Sequence, residues 1–192
     1  MPRPVRSALG ETAALFILGA IVGTALDQLH VMGGVLAYPR PAFLGEAAFV
    51  PFLFGGATVS LTLFWRLAFR GGAPRWPSAA LFGLYLLDFA CAYLLTVLLR
   101  DLPAISLFAL SVSWVALAAP HGARPLAYGV AVAVAGTLTE AALCHLGLFR
   151  YLAAGLLPGL AVPLWLPGLY LHASLATRAL DQAFFPRREA VP

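Results

Sequence analysis

Six apolar stretches alternate with short polar breaks along the chain. A membrane span needs roughly 20 mostly apolar residues, because a helix rising about 1.5 Å per residue must cross a hydrocarbon core about 30 Å thick. The pattern predicts spans at about 8–30, 47–68, 78–99, 103–119, 126–149 and 163–181. Proline occurs in the breaks, where it lacks the N–H and disfavours helix before it. We therefore predict an all-α fold: a single domain, residues 1–192, forming a polytopic six-transmembrane-helix bundle with short loops.

The composition excludes a soluble domain. Of the 192 residues, 61% are hydrophobic and only 10% are charged, whereas soluble domains carry about 25% charged residues. The apolar run near the start is too long for a cleavable signal peptide, so we interpret it as the first span. The net charge of +4 does not indicate nucleic-acid binding, because the basic residues are scattered over the loops.

The basic residues predict the orientation. All twelve are arginine, which together with the abundant alanine, glycine and proline is typical of a GC-rich genome. We expect a protein of a bacterial inner membrane (the endoplasmic reticulum if the source is eukaryotic). With six spans, nine arginines fall on the side of the termini and three fall opposite, at Arg40, Arg100 and Arg150. Because cytoplasmic loops are enriched in basic residues, both termini are predicted to be cytoplasmic.

Ionisable residues lie inside the predicted spans, where a charge at the bilayer centre costs roughly 2.5–3.5 kcal/mol. Asp88 lies in the third span, and the others share one half of the bilayer: Asp27, His30, Glu140 and His145. In that half we expect a protonated carboxyl hydrogen-bonded to a histidine. Three interpretations remain open: a structural polar network, a cavity for a lipid with a small polar head, and a catalytic or proton-relay site.

The helical face around Glu140 favours a cavity. Ala133, Gly136, Thr137 and Cys144 lie three, four or seven residues from it, and all are small. A face of small residues allows close helix packing or leaves room for a ligand. The predicted lipid-binding residues, with Glu140 at the centre, are Asp27, His30, Asp88, Trp114, Glu140 and Cys144. A neutral head group, as in diacylglycerol or a sterol, is expected because an unpaired charge is not tolerated at this depth.

Motifs of catalysis are absent from the sequence. It has no HExxH or GxSxG pattern and no acidic pair with metal-ligand spacing. Cys91 and Cys144 fall inside apolar runs, where a free thiol behaves as a small hydrophobic group. We therefore predict no enzyme activity, no catalytic residue, no metal and no cofactor. The alternative is a small membrane enzyme or proton-coupled carrier that uses Glu140 or Asp88, whose carboxyl the Tyr85 hydroxyl could bond.

Several motifs at the span ends resemble the Insig (insulin-induced gene) family of membrane proteins. LDQLHVMGGVLAYP (26–39) closes the first span, and AAFVPFLFG (47–55) opens the second. TLTEAALCHLGLFRY (137–151) closes the fifth span, and WLP (165–167) opens the sixth. Shorter matches are ALS (109–111) in the fourth span and Arg178-Ala179-Leu180 near the end of the sixth. The resemblance covers essentially the whole chain, and we interpret the protein as a bacterial homologue.

The resemblance implies six spans, cytosolic termini and action without catalysis. Family members bind an oxysterol among their spans, retain a sterol-sensing escort protein in the endoplasmic reticulum and promote degradation of the reductase of sterol synthesis. Trp114 lies beside the family's tryptophan pair, Glu140 beside its glutamine, and Asp88 near its asparagine-histidine pair. The acidic end of the family's third span is reduced here to Arg100-Asp101. A bacterium lacks those protein partners, so we expect an intramembrane lipid site with a candidate role in lipid sensing, and no sterol regulation.

The glycine spacing leaves oligomerisation open. Gly19 and Gly23 form a GxxxG motif, which allows close approach of helices inside a bundle or between protomers. We favour internal packing, with a homo-oligomer as the alternative. The expected partner is membrane lipid rather than nucleic acid.

Overall fold

A computed structural model describes residues 8–68 and 79–184. Each predicted span contains a helix, and the six α-helices of the described residues are α1 (Ala8–Met32), α2 (Val50–Ala68), α3 (Ala79–Leu98), α4 (Pro103–Ala118), α5 (Ala123–His145) and α6 (Leu166–Phe184). A 3₁₀ turn, Ala119–His121, follows α4. Two short strands, β1 (Leu36–Ala37) and β2 (Arg150–Tyr151), were not predicted. The all-helical bundle is thus confirmed, with a small ribbon added to it.

Five helices in the described ranges, α1 to α5, are long and apolar enough to cross a membrane, with α4 counted together with the 3₁₀ turn that continues it to His121. The sixth is less apolar, because it carries His172, Arg178 and Asp181. The six-span count and the cytoplasmic termini therefore remain predictions. Half of the arginines used for the orientation lie outside the described residues, at positions 3, 6, 70, 75, 187 and 188.

Helix α6 occupies the centre of the bundle. It packs against α5, α3, α4 and α2, and thirteen of its nineteen residues are buried. A helix surrounded by protein on all sides can hold polar side chains that would be costly against lipid, provided that each finds a partner. The low hydropathy of α6 therefore follows from its neighbours, which are helices rather than lipid chains.

Helices α1 and α2 pack extensively against each other. A side chain added at Gly19 would collide with Thr58, and one added at Gly23 would collide with Phe54. The GxxxG motif therefore serves packing inside the bundle, as favoured from the sequence.

The two strands join distant connections at one end of the bundle. Leu36 pairs with Tyr151 and Ala37 with Arg150 in an antiparallel register. Arg100 lies in the turn between α3 and α4, and its guanidinium donates a hydrogen bond to the Gly33 carbonyl oxygen at 2.7 Å. This bond attaches the α3–α4 turn to the same end of the bundle. We call residues 33–49 and 146–165 the cap, and this end of the bundle the capped end.

Candidate lipid-binding site

Asp27 is buried in the last third of α1, close to the cap. Its carboxylate accepts a hydrogen bond from the Tyr38 hydroxyl, with 2.7 Å between the two oxygens. Tyr38 follows strand β1 directly, so the ribbon fixes the backbone that carries the donor. The bond gives a buried acidic group the partner that burial requires.

Glu140 of α5 is held by two tyrosines. The Tyr170 hydroxyl of α6 donates to one carboxylate oxygen at 2.6 Å, and the Tyr151 hydroxyl of β2 donates to the other. The carboxyl thereby links α5, α6 and the cap. Sequence reasoning did not assign either tyrosine to this site, because their meeting depends on the ribbon and on the central position of α6.

His30 lies near Asp27 along α1 but does not bond to a carboxyl. Its Nε2 is 2.8 Å from the Thr96 hydroxyl, which itself donates to the Tyr93 carbonyl oxygen at 2.7 Å. Thr96 has one hydroxyl proton and gives it to Tyr93, so His30 Nε2 must be the donor in the bond to the Thr96 oxygen. The ring also packs on Tyr93, with 4.5 Å between ring centroids.

The histidine–carboxyl pair expected in this half of the bundle is therefore not formed by these groups. His145 faces its own helix, with Nδ1 at 2.7 Å from the Ala141 carbonyl oxygen. Tyrosine hydroxyls take the place that was predicted for histidine.

A cavity of about 390 Å³ lies between the cap and the end of α5. The residues that line it are Ala37, Tyr38, Pro39, Cys144, Gly147, Phe149 and Arg150. Small-molecule sites in proteins commonly have volumes of about 300–1,000 Å³. Of the predicted site residues, Cys144 lines this cavity directly. Asp27 does not line the cavity but bonds Tyr38, which does, and Glu140 is one turn of helix before Cys144.

Two predicted residues lie elsewhere in the bundle. Asp88 of α3 bonds His172 of α6, with 2.6 Å between Oδ2 and Nδ1. Trp114 of α4 packs in a separate cluster with Tyr85 and Leu175. Tyr85 does not bond Asp88, because its hydroxyl faces His121 at 3.3 Å. The predicted set is thus divided between the capped end and the middle of the bundle.

The bond of Asp88 to His172 continues to α4. His172 Nε2 is 3.0 Å from the Leu110 carbonyl oxygen and 3.2 Å from the Ser113 hydroxyl. A carbonyl only accepts, so Nε2 carries a proton. The Ser113 hydroxyl in turn donates to the Ala109 carbonyl oxygen at 2.8 Å. Within residues 8–68 and 79–184, no group of three or more potential metal ligands is found.

Comparison with known proteins identifies relatives over most of the chain. No family model matches the sequence. A protein named INSIG protein homolog, from Mycolicibacterium vanbaalenii, is 33% identical over 158 residues, which cover 77% of this chain and 74% of the relative.

Solved structures match over nearly the full length. The crystal structure of a mycobacterial Insig homolog, MvINS from Mycobacterium vanbaalenii, superposes with a TM-score of 0.74 at 25% identity, covering 96% of this chain and all of the relative. A cross-linked trimer of a cysteine variant of MvINS gives a TM-score of 0.68 at 27% identity, with the same coverage of this chain. The resemblance noted at the span ends is thereby confirmed, and the chain belongs to the Insig family.

Proposed function

We propose that this protein is a non-catalytic membrane protein that binds a neutral lipid at the capped end. The observation that carries the proposal is the cavity between the cap and α5, lined by Cys144 and by Tyr38, whose hydroxyl Asp27 holds. The carboxyls of Asp27 and Glu140 already have tyrosine partners, so neither offers a free charge to a cationic head. Arg150, an exposed residue of strand β2, also lines the cavity and can donate to a hydroxyl or ester oxygen. A neutral head with one or two hydroxyls, diacylglycerol-like or sterol-like, fits this combination of a bonded tyrosine and an outer donor.

A role in lipid sensing would follow from the position of the cavity. Its walls come from β1, from β2, from the residues beside these strands and from the end of α5. A bound head group would therefore contact both segments of the cap, which the ribbon joins. Occupancy would then bias the position of the cap relative to α5, which is a change that a partner could detect.

The proposed topology has six spans with cytoplasmic termini. The six spans are supported by the central position of α6, which packs against four other helices and is mostly buried. The cytoplasmic termini are supported by the excess of arginine on the side of the termini. The trimer formed by the variant of MvINS supports a homo-oligomer for this chain as well. Native mass spectrometry in mild detergent tests the oligomer, and a monomer at every protein concentration would contradict it.

The order Ser113, His172, Asp88 has the residue types of a hydrolase triad, but its hydrogen bonds argue against that activity. A nucleophilic serine needs an unprotonated histidine nitrogen to take its proton. Here Nε2 carries a proton toward the Leu110 carbonyl oxygen, and Ser113 donates to its own helix. The same bonds join α3, α4 and α6, which favours a structural role over proton transport by Asp88.

Mass spectrometry of lipid that co-purifies with the protein tests the proposal. Cys144→Trp places an indole in the cavity, whereas Cys91→Trp places one on the exposed face of α3 and is the matched control. We expect one stoichiometric neutral lipid in the wild type and in Cys91→Trp, and its loss in Cys144→Trp. A lipid mixture that mirrors the membrane in all three proteins would refute the proposal. If the wild type does hold one neutral lipid, Glu140→Leu shows whether the carboxyl is needed for lipid binding or only for folding.

A further inference from the structure

The connection between α1 and α2 contains a tight turn with two large apolar side chains at its tip. Phe43 forms an antiparallel bridge with Glu46, and Leu44 and Gly45 make the two-residue turn between them. We call residues 42–46 the cap turn. Phe43 is 74% exposed and Leu44 is 66% exposed. Both side chains therefore lie on the outer surface of the cap, next to each other.

The backbone conformation of the cap turn does not favour leucine. The φ angle is 47° at Leu44 and 90° at Gly45. Positive φ at both central residues is the pattern of a type I′ turn, which favours asparagine, aspartate or glycine at the first of them. A branched apolar residue is uncommon in this conformation. An exposed leucine stands where a polar residue would fit more easily, which indicates a use for its apolar side chain.

The cap turn lies beside the last turn of α1 and not beyond its end. The Gln28 side-chain amide donates to the Leu44 carbonyl oxygen at 3.0 Å, and a side chain added at Gly45 would collide with Val31. With 25 residues, α1 is about 37 Å long, somewhat more than the hydrocarbon core of about 30 Å. The last turn of α1, and the cap turn beside it, therefore lie near the boundary between hydrocarbon and head groups.

The backbone of the cap turn bonds largely within the protein. The Glu46 carbonyl oxygen accepts from the amides of Ala42 and Phe43, and the Glu46 amide donates to the Phe43 carbonyl oxygen. The Leu44 carbonyl oxygen accepts from Gln28. Backbone outside a helix is tolerated at membrane depth only where its polar groups have partners. The cap turn meets this condition at the positions that carry its apolar side chains.

We propose that Phe43 and Leu44 insert into the lipid of the leaflet at the capped end, at the level of the ester groups and the first chain carbons. Arg40, which is exposed three residues earlier, then lies at the level of the lipid phosphates, with which a guanidinium pairs well. The cap, which includes Tyr38 of the cavity wall, is thereby held at the membrane surface. This contact does not depend on whether the cavity holds a lipid.

Spin-label accessibility measures where the cap turn lies. The full chain, with Cys91→Ala and Cys144→Ala, is reconstituted in vesicles of phosphatidylcholine and phosphatidylglycerol. A nitroxide is attached at Leu44→Cys or, as the matched control, at Asp101→Cys in the exposed α3–α4 turn. Collision with oxygen, which concentrates in lipid, is compared with collision with a water-soluble nickel chelate. We expect the oxygen-to-nickel ratio to be several-fold higher at Leu44 than at Asp101.

A second pair of variants tests the leucine side chain itself. With the label at Phe43→Cys, Leu44→Asn supplies a residue type that the turn favours but removes the apolar group, so nickel collision should rise several-fold. Leu44→Met keeps an apolar side chain and should leave the value unchanged.

Three results would overturn the proposal. Equal nickel collision at Leu44 and Asp101 would place the cap turn in water. Unchanged nickel collision in Leu44→Asn would show that the leucine does not hold the turn in lipid. Low collision with both reagents, together with spin–spin broadening between labelled molecules, would mean that a second copy of the chain covers the turn.

Discussion

The carboxyls at the capped end and the carboxyl in the middle of the bundle have different hydrogen-bond partners. Asp27 and Glu140 are held by tyrosine hydroxyls, which stay uncharged. Asp88 is held by His172, which can take a proton. The Asp88–His172 pair is therefore neutral as a whole whichever member carries the shared proton. A tyrosine-bonded carboxyl is neutral only when it is itself protonated.

This difference indicates that the Asp88–His172 pair has a structural role, whereas the tyrosine-bonded carboxyls support a ligand site. The middle pair connects α3, α6 and, through the Leu110 carbonyl, α4, so its hydrogen bonds join helices to one another. The capped-end carboxyls are bonded to side chains of the cap, and one of those side chains lines a cavity. Polar groups at the centre hold helices together, whereas those at the capped end hold a wall against which a ligand can lie.

The largest expected effect is at the middle pair. His172→Phe keeps a ring in the core but leaves Asp88 without its histidine partner and removes the bond from α6 to the Leu110 carbonyl oxygen. Breaking a fully buried pair costs about 3–5 kcal/mol. Since His172 is buried and Asp88 is only partly buried, we expect a loss near the lower end of that range in the free energy of unfolding, measured by denaturant titration in detergent. Ser113→Ala, which removes the weaker contact, is the control. Equal losses in the two variants would mean that the pair is not the main connection.

A smaller loss is expected at Asp27. Tyr38→Phe removes the hydroxyl that bonds this buried carboxyl, and an unsatisfied buried acceptor costs about 1–3 kcal/mol. The double variant with Asp27→Leu should recover part of that loss, because the carboxyl is then absent. Unfolding titrations of the single and double variants give the coupling free energy. A coupling of zero would show that the hydrogen bond contributes nothing to stability.

A still smaller change is expected at Glu140. Glu140→Gln retains an oxygen that can accept from Tyr151 or Tyr170, so we expect the loss in unfolding free energy to stay below about 1 kcal/mol, near that of one hydrogen bond. We expect a clear fall in the amount of co-purified lipid, although the free energy of unfolding changes little. If the protein fails to fold, the carboxyl is structural, and the contrast between the two regions disappears.

The smallest effect concerns Glu46, in the cap and outside the spans. Burial raises the pKa of this carboxyl above its ordinary value of 4.5. A carboxyl with a raised pKa stabilises the fold below the unfolded-state pKa, and this stabilisation is lost as the pH rises through the folded-state pKa. The melting temperature should therefore decline with rising pH in that window. The decline should be weaker in Glu46→Gln, and identical profiles would exclude Glu46 as its cause.

The helices could be predicted from the sequence because each combines an apolar stretch with a proline or glycine boundary. The function of Gly19 and Gly23 in internal packing was also predictable from their spacing. The carboxyl partners were not, since Tyr151 and Tyr170 reach Glu140 only through the two-residue ribbon and the central α6. A hydrogen bond between a carboxyl and a histidine was predicted, but at the wrong residues. It occurs between Asp88 and His172, which are 84 residues apart in sequence.

The polar character of α6 has a consequence for biosynthesis. On the proposed topology, a segment with Arg178 and Asp181 would not leave the translocon for lipid on its own hydrophobicity, since each such residue opposes insertion. Its integration would depend on α1 to α5 being in the bilayer first. Arg66 of α2 would then be present as the partner of Asp181, to which it bonds at 2.7 Å. We expect α6 alone to fail in a glycosylation-reporter insertion assay and to insert when the preceding helices are present. Assembly of the tertiary structure would then be part of membrane insertion itself.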